Sequence, residues 1–168
     1  MILIYAGRRQ LADAEGVRKR VAELLESFRP RLLVGSAAAG ADLLVLGLAR
    51  AKGIAAHLVL LGGVAEFEEA SVSDLGGEWA QRYREILADT GVSVEVVEAQ
   101  GPDRRAAHLM VNSAIVEAAR RTAAEDEEIV ALAVLEESGN SGSVTADLIS
   151  RAERYGWPTV RTPPTVEL

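Results

Sequence analysis

Six short apolar runs recur along this chain, and the five gaps between them each carry a helix-like stretch. The runs are 1–6 (MILIYA), 31–34 (RLLV), 55–61 (AAHLVLL), 92–97 (VSVEVV), 129–135 (IVALAVL) and 158–161 (PTVR). A nearly continuous apolar run such as 1–6 is the pattern of a strand covered on both faces, and 92–97 reads as a strand from its valine enrichment. Between them, Val17, Val21, Leu24, Leu25 and Phe28 recur at three-to-four spacing, which predicts an amphipathic helix over 13–28. Further helices are predicted over 41–52, 78–89, 104–124 and 143–155, with 64–74 as an irregular acidic stretch. Strands alternating with helices imply an α/β fold, a Rossmann-like three-layer sandwich on a mainly parallel central sheet.

A length of 168 residues fits one domain, taken as 1–162, with TPPTVEL at the end read as a loose tail over 163–168. Aromatic residues make up only 4% of the chain, so the core has to be aliphatic. The absence of cysteine excludes disulfides and thiolate metal sites and suits a reducing compartment. An apolar strand starting at Met1 leaves no room for a signal peptide, and no apolar run approaches the roughly 18 residues of a membrane span. A cytoplasmic protein without membrane contact is expected, with homo-oligomerisation left open.

A formal net charge of −7 opposes broad binding to nucleic acid, which needs a basic face. It does not oppose one small anion held at contact range by backbone N–H groups and an arginine. In a parallel sheet such a ligand sits beyond the carboxyl ends of the strands, so the turns that leave those ends are the places to look.

Three turns qualify. Gly35-Ser36-Ala37-Ala38-Ala39-Gly40-Ala41-Asp42 joins a strand to a helix with nothing larger than alanine before Asp42, which lets backbone N–H groups approach an anion. It is neither a Walker A sequence nor a GxGxxG fingerprint. Gly139-Asn140-Ser141-Gly142-Ser143 leads from the most apolar run into a helix that Ser143 would cap, with hydroxyl and amide donors between glycines. Gly7-Arg8-Arg9 leaves the first run at the same edge, where an arginine such as Arg8 could grip a phosphate. Each turn is also readable as plain helix capping and tight packing.

His57, inside an apolar run, reads as a hydrogen-bonded core residue, and His108 has no metal partner at helical spacing. No metal and no nucleophilic triad are predicted, and no catalytic residue can be named. The acids 125–128 read as solvated surface. Glu66, Glu68, Glu69 and Asp74 fall near the site edge, where one could serve as a base.

The ordered segments resemble the SLOG superfamily of Smf/DprA and LOG phosphoribohydrolase proteins over nearly the whole chain. Gly7-Arg8-Arg9 resembles its GHR-like turn, Gly40-Ala41-Asp42 its small-residue turn, and Gly139 to Ser143 its GGxGT loop. Phe67, Ser71-Val72, Trp79 and Arg82-Tyr83 are similar to SLOG-type domains found beside cyclases and TPR or TRAF-like signalling modules. Met110, Asn112 and Ile115 resemble the stretch around its RN pair, with Val111 where arginine would stand. The resemblance implies a nucleotide-derived ligand, ADP-ribose-like or a nucleotide itself, held by the two glycine loops, and no further cofactor. Thr145 and Ala146 stand where phosphoribohydrolases carry a glutamate, and Asp147 is one position off, about 100 degrees around a helix. Binding or sensing of such a ligand in a signalling context is therefore the expectation. An N-glycosidase, a single-strand DNA binder and a ligand-free scaffold are the alternatives.

Overall fold

The computed structural model describes residues 1–134 and 143–162, so Gly139, Asn140, Ser141, Gly142 and the tail 163–168 lie outside the described residues. The order is β1 (Ile2–Gly7), α1 (Ala14–Phe28), β2 (Leu32–Gly35), α2 (Ala41–Ala51) and β3 (Ala55–Leu61), then α3 (Val64–Ser71) and a 3₁₀ turn (Ser73–Leu75). There follow α4 (Trp79–Leu87), β4 (Val92–Val97), α5 (Arg104–Thr122), β5 (Ile129–Val134), α6 (Val144–Arg154) and β6 (Thr159–Thr162).

The strands line up as β4-β3-β2-β1-β5-β6, and every described pairing is parallel. Side chains alternate between two cores as the pleat requires. Leu3, Tyr5, Leu33, Leu58, Leu60 and Leu132 pack under α1 to α4. Ile2, Ile4, Val34, Val59, Ala131 and Ala133 pack under α5 and α6. The result is a Rossmann-like three-layer sandwich. Its chain runs outward from β1 to β4, and α5 then carries it back to β5 on the other side of β1. That reversal beside β1 is the switch point where open α/β sheets leave a crevice.

Local chemistry sets the helix ends. Asp13 caps α1 by accepting from the Gly16 N–H at 2.9 Å, and Asp103 caps α5 by accepting from the N–H groups of Arg105 and Ala106. Ser143 caps α6, its Oγ accepting from Ala146 N at 3.1 Å.

Two expectations need correction. Residues 64–74 are ordered as α3 and the 3₁₀ turn rather than irregular, because buried Phe67, Ser71 and Val72 give one apolar face that the acids around them obscure. Within 125–128, Glu127 is not solvated surface. It is a clamp on the Met1 ammonium at 3.1 Å and on Arg31 at 2.6 Å, and Ala124 N–H donates to it at 3.0 Å. Those donors hold its carboxyl well below the usual carboxylate range, the Arg31 hydrogen bond foremost.

Candidate functional site

At the switch point the carboxyl ends of β1, β2 and β3 open into a cavity of about 210 Å³, closed from above by α3 and on one side by α5. Gly7, Ser36 and Asp42 line it together, with Tyr5, Arg9, Arg104, His108, Asn112 and Thr145.

The three described glycines are held by internal packing. A Cβ on Gly7 would stand 2.4 Å from the Ala41 Cβ, and one on Gly35 would stand 2.5 Å from the Tyr5 ring. Gly40 has φ +97°, and a Cβ there would come within 2.1 Å of the Arg9 carbonyl oxygen. The turn they allow folds Tyr5 over Gly35, where the phenol donates to the Ser36 carbonyl at 2.6 Å. Burial and the nearby Asp42 charge push that phenol well above its ordinary pKa, so it stays a neutral donor.

The same turn spends much of its backbone on the protein itself. Ala38 N–H donates to Asp42 Oδ2 at 3.3 Å, Ala39 N–H to the Ser71 carbonyl at 2.9 Å, and Ala41 N–H to the Arg8 carbonyl at 2.9 Å. Three of the N–H groups that a phosphate cradle would use are therefore already paired.

Asp42 is 8% exposed, and its one donor among the described residues, Ala38 N–H, is at the long end of the hydrogen-bond range. Burial pushes its carboxyl up to about 7, only partly offset by the Ala38 hydrogen bond and the Arg9 charge. The titrating carboxyl thus belongs to the helix-initial residue of the small-residue turn. Among the acids considered on sequence, Glu68 is paired with Arg84 at 2.5 Å, and Asp74 with Arg9. Asp147 is held by Arg151 at 2.7 Å and by Asn112 at 3.0 Å. Glu66 and Glu69 are exposed and do not line the cavity.

Arg9, rather than its neighbour Arg8, forms the wall. Arg8 is stitched through its main chain, its N–H donating to the Val134 carbonyl at 3.2 Å and its own carbonyl accepting from Ala41. Arg9 reaches Asp74 with both terminal nitrogens and the Ser71 carbonyl at 2.8 Å, while its buried Nε finds no partner among the described residues. The Phe67 and Tyr83 rings, stacked with centroids 6.0 Å apart, hold α3 and α4 together behind this wall. Tyr83 also donates to the Val64 carbonyl at 2.8 Å, and Arg82 lies over the Trp79 ring.

The opposite wall is one stripe of α5. Arg104, His108 and Asn112 are four residues apart, so they stack on one helical face with Val111 and Ile115. Asn112 donates to the Val144 carbonyl at 2.8 Å and thereby fixes α6 beside the cavity. Burial, with Arg104 and Arg9 nearby, lowers the His108 pKa. In the sequence this stripe is a four-residue repeat of polar side chains, a weak signal because such repeats are common on solvated helix faces.

His57 is hydrogen-bonded to Ser93 Oγ at 2.8 Å and Glu95 at 3.1 Å, at the β3–β4 edge remote from the cavity. A wider groove of about 940 Å³ runs between α1, α2 and α4. It is walled by exposed charged side chains such as Arg18, Arg50 and Glu85, and it lies on the helix layer rather than at the strand ends. The smaller cavity has the buried polar groups, and it is the candidate site. Among the described residues no helix is long and apolar enough to cross a membrane.

No family model matches the chain. No curated protein matches it either. A solved structure to which it is similar is that of DNA processing protein A (DprA) from Streptococcus pneumoniae, at 16% identity and a TM-score of 0.46. That match covers 94% of this chain and 57% of the other.

Proposed function

We propose that this protein binds a nucleotide-derived, phosphate-bearing small molecule in the switch-point cavity, and that it senses this ligand rather than consuming it. The observation that carries the reading is the cavity's pairing of an acid-free α5 stripe, carrying the Arg104 cation at its rim, with buried, under-used polar groups, Asp42 and Arg9 Nε, on the opposite wall. Groups of this kind are expensive to bury unless something completes their hydrogen bonding. The SLOG resemblance supports the same class of ligand, and a signalling setting is what the likeness to SLOG-type domains beside cyclases and TPR or TRAF-like modules implies.

Recognition is favoured over hydrolysis because Thr145 and Ala146 stand where phosphoribohydrolases carry a glutamate, and Thr145 is buried at the cavity wall. Asp147 beside it is tied to Arg151 and Asn112. One observation favours the enzymatic alternative, an N-glycosidase. A general acid works best with a pKa near the ambient pH, and Asp42, at about 7, has one.

The test is mass spectrometry of small molecules released from protein purified out of cells. Calorimetry with nucleoside monophosphates and ADP-ribose, and chromatography of the same mixtures after incubation, complete it. A bound nucleotide recovered intact is the expected result. Release of free base would assign the cavity to hydrolysis, and absence of binding across the panel would overturn the reading.

A further inference from the structure

Building on that reading, we infer that the ligand enters sugar first, with a ribose cis-diol donating to Asp42 at the buried end and the phosphate held at the mouth by Arg104 and His108.

Charge decides the direction. On the β1–α2 wall Asp42 faces a single arginine, Arg9, whose charge is already met from behind by Asp74 of the 3₁₀ turn. With Asp42 ionised, that wall carries one excess negative charge. A phosphate there would face a like charge inside a poorly solvated cavity, where repulsion is strongest. The α5 wall carries only cationic or neutral groups, Arg104, His108 and Asn112, and Arg104 is exposed at the rim. An anion at that rim would also favour the imidazolium form of His108, which burial and its arginine neighbours now oppose.

Hydrogen-bond capacity points the same way. A carboxylate has about four lone-pair sites, and Asp42 uses one, weakly, on Ala38 N–H. Three turn N–H groups, those of Ala38, Ala39 and Ala41, are already spent on Asp42, Ser71 and Arg8. What Asp42 lacks is donors, and a cis-diol supplies two, while the diol oxygens can accept in turn from the Arg9 Nε–H. An acid on ribose hydroxyls is a recurrent solution in dinucleotide-binding sheets. The cavity's 210 Å³ is small for a drug-sized ligand, which suits a ribosyl phosphate in the pocket with the remainder outside.

The test is calorimetry with the four ribonucleoside 5′-monophosphates and their 2′-deoxy counterparts. Wild-type protein should prefer the ribo form by about 10-fold to 100-fold, the range of one hydrogen bond to a charged group. Asp42→Asn should reduce that ratio several-fold, whereas Arg104→Ala should weaken both forms and leave the ratio unchanged. The ratio in wild-type protein should also fall as the pH drops below about 7, where Asp42 takes up its proton. Tyr5, Arg9, Arg104 and His108 face the same cavity, and the phosphate titrates near by, but these act equally on both ligands and leave the ratio alone. If no nucleotide binds, the proposed function falls and this inference with it. If nucleotides bind with a ratio near one, or with a ratio indifferent to Asp42→Asn and to pH, the inference is overturned and the proposed function stands.

Discussion

Asp42→Asn should make the protein more stable at pH 8, although it removes a charged group from a folded site. Burial raises the Asp42 carboxyl from an ordinary 3.8 to about 7. At about 1.4 kcal/mol per pH unit, that gap corresponds to about 4 kcal/mol. Below about pH 4 the carboxyl is protonated in both folded and unfolded chains and costs nothing. From about pH 4 to 7 the unfolded chain has released its proton and the folded one has not, so stability declines as pH rises. Above 7 the full cost of the buried charge is present. Asparagine is nearly isosteric and never ionises, and its side-chain oxygen can still accept from Ala38 N–H. Urea unfolding of both proteins at pH 4.5, 6, 7 and 8 gives the difference directly, with groups that titrate elsewhere dropping out. The variant should gain little at pH 4.5 and up to about 4 kcal/mol at pH 8. A difference that stays flat across this range, or a variant less stable at pH 8, would refute the account of Asp42 as a buried, weakly compensated carboxyl.

Other perturbations address the scaffold. Gly35→Ala drives a methyl to 2.5 Å from the Tyr5 ring and should cost about 1–3 kcal/mol by urea unfolding. Gly40→Ala should cost more, since a clash with the Arg9 carbonyl is added to a φ of +97°. Tyr5→Phe leaves the Ser36 carbonyl without its 2.6 Å donor and should cost about 1–3 kcal/mol, seen as a lower melting temperature. Glu127 has its folded pKa below that of the unfolded chain, so its contribution is present above the ordinary carboxylate value of 4.5 and is lost as pH falls. Glu127→Gln should therefore be the less stable protein at pH 7 and converge on wild type in acid, which thermal melts at several pH values would show.

β1 and β5 were readable as apolar runs covered on both faces, which leaves them little freedom to be anything else, whereas β4, interrupted by Ser93 and Glu95 and partly exposed, was readable from its valines. β3 and β4 occur over the residues predicted, Ala55–Leu61 and Val92–Val97. The stretch 64–74 was obscure for the opposite reason. α3 buries only Phe67 and Ser71, and Glu66, Glu68 and Glu69 break the apolar period. What orders it is long-range, the Phe67–Tyr83 stack and the Glu68–Arg84 ion pair, and a local window contains neither. The same holds for Glu127, which looks like one acid among four until the sheet brings Met1 and Arg31 beside it.

For the site, glycine was a guide to place more than to chemistry. Gly7, Gly35 and Gly40 mark the strand ends where the crevice opens, but each is required by contacts with Ala41, Tyr5 or Arg9 whether or not a ligand is present. The groups able to recognise a ligand come from three separate elements: Arg9 after β1, Asp42 on α2, and Arg104 and His108 on α5. Apart from the four-residue repeat on α5, their spacing in the chain carries no signature, because the parallel crossovers bring them together. A buried carboxyl costing about 4 kcal/mol above pH 7 is hard to explain as a device for stability. The ribo-to-deoxy ratio and the pH-dependent gain of Asp42→Asn bear on that cost from opposite sides. A side chain kept for a ligand should lose discrimination as it gains stability, whereas one with a purely structural role should lose stability when changed.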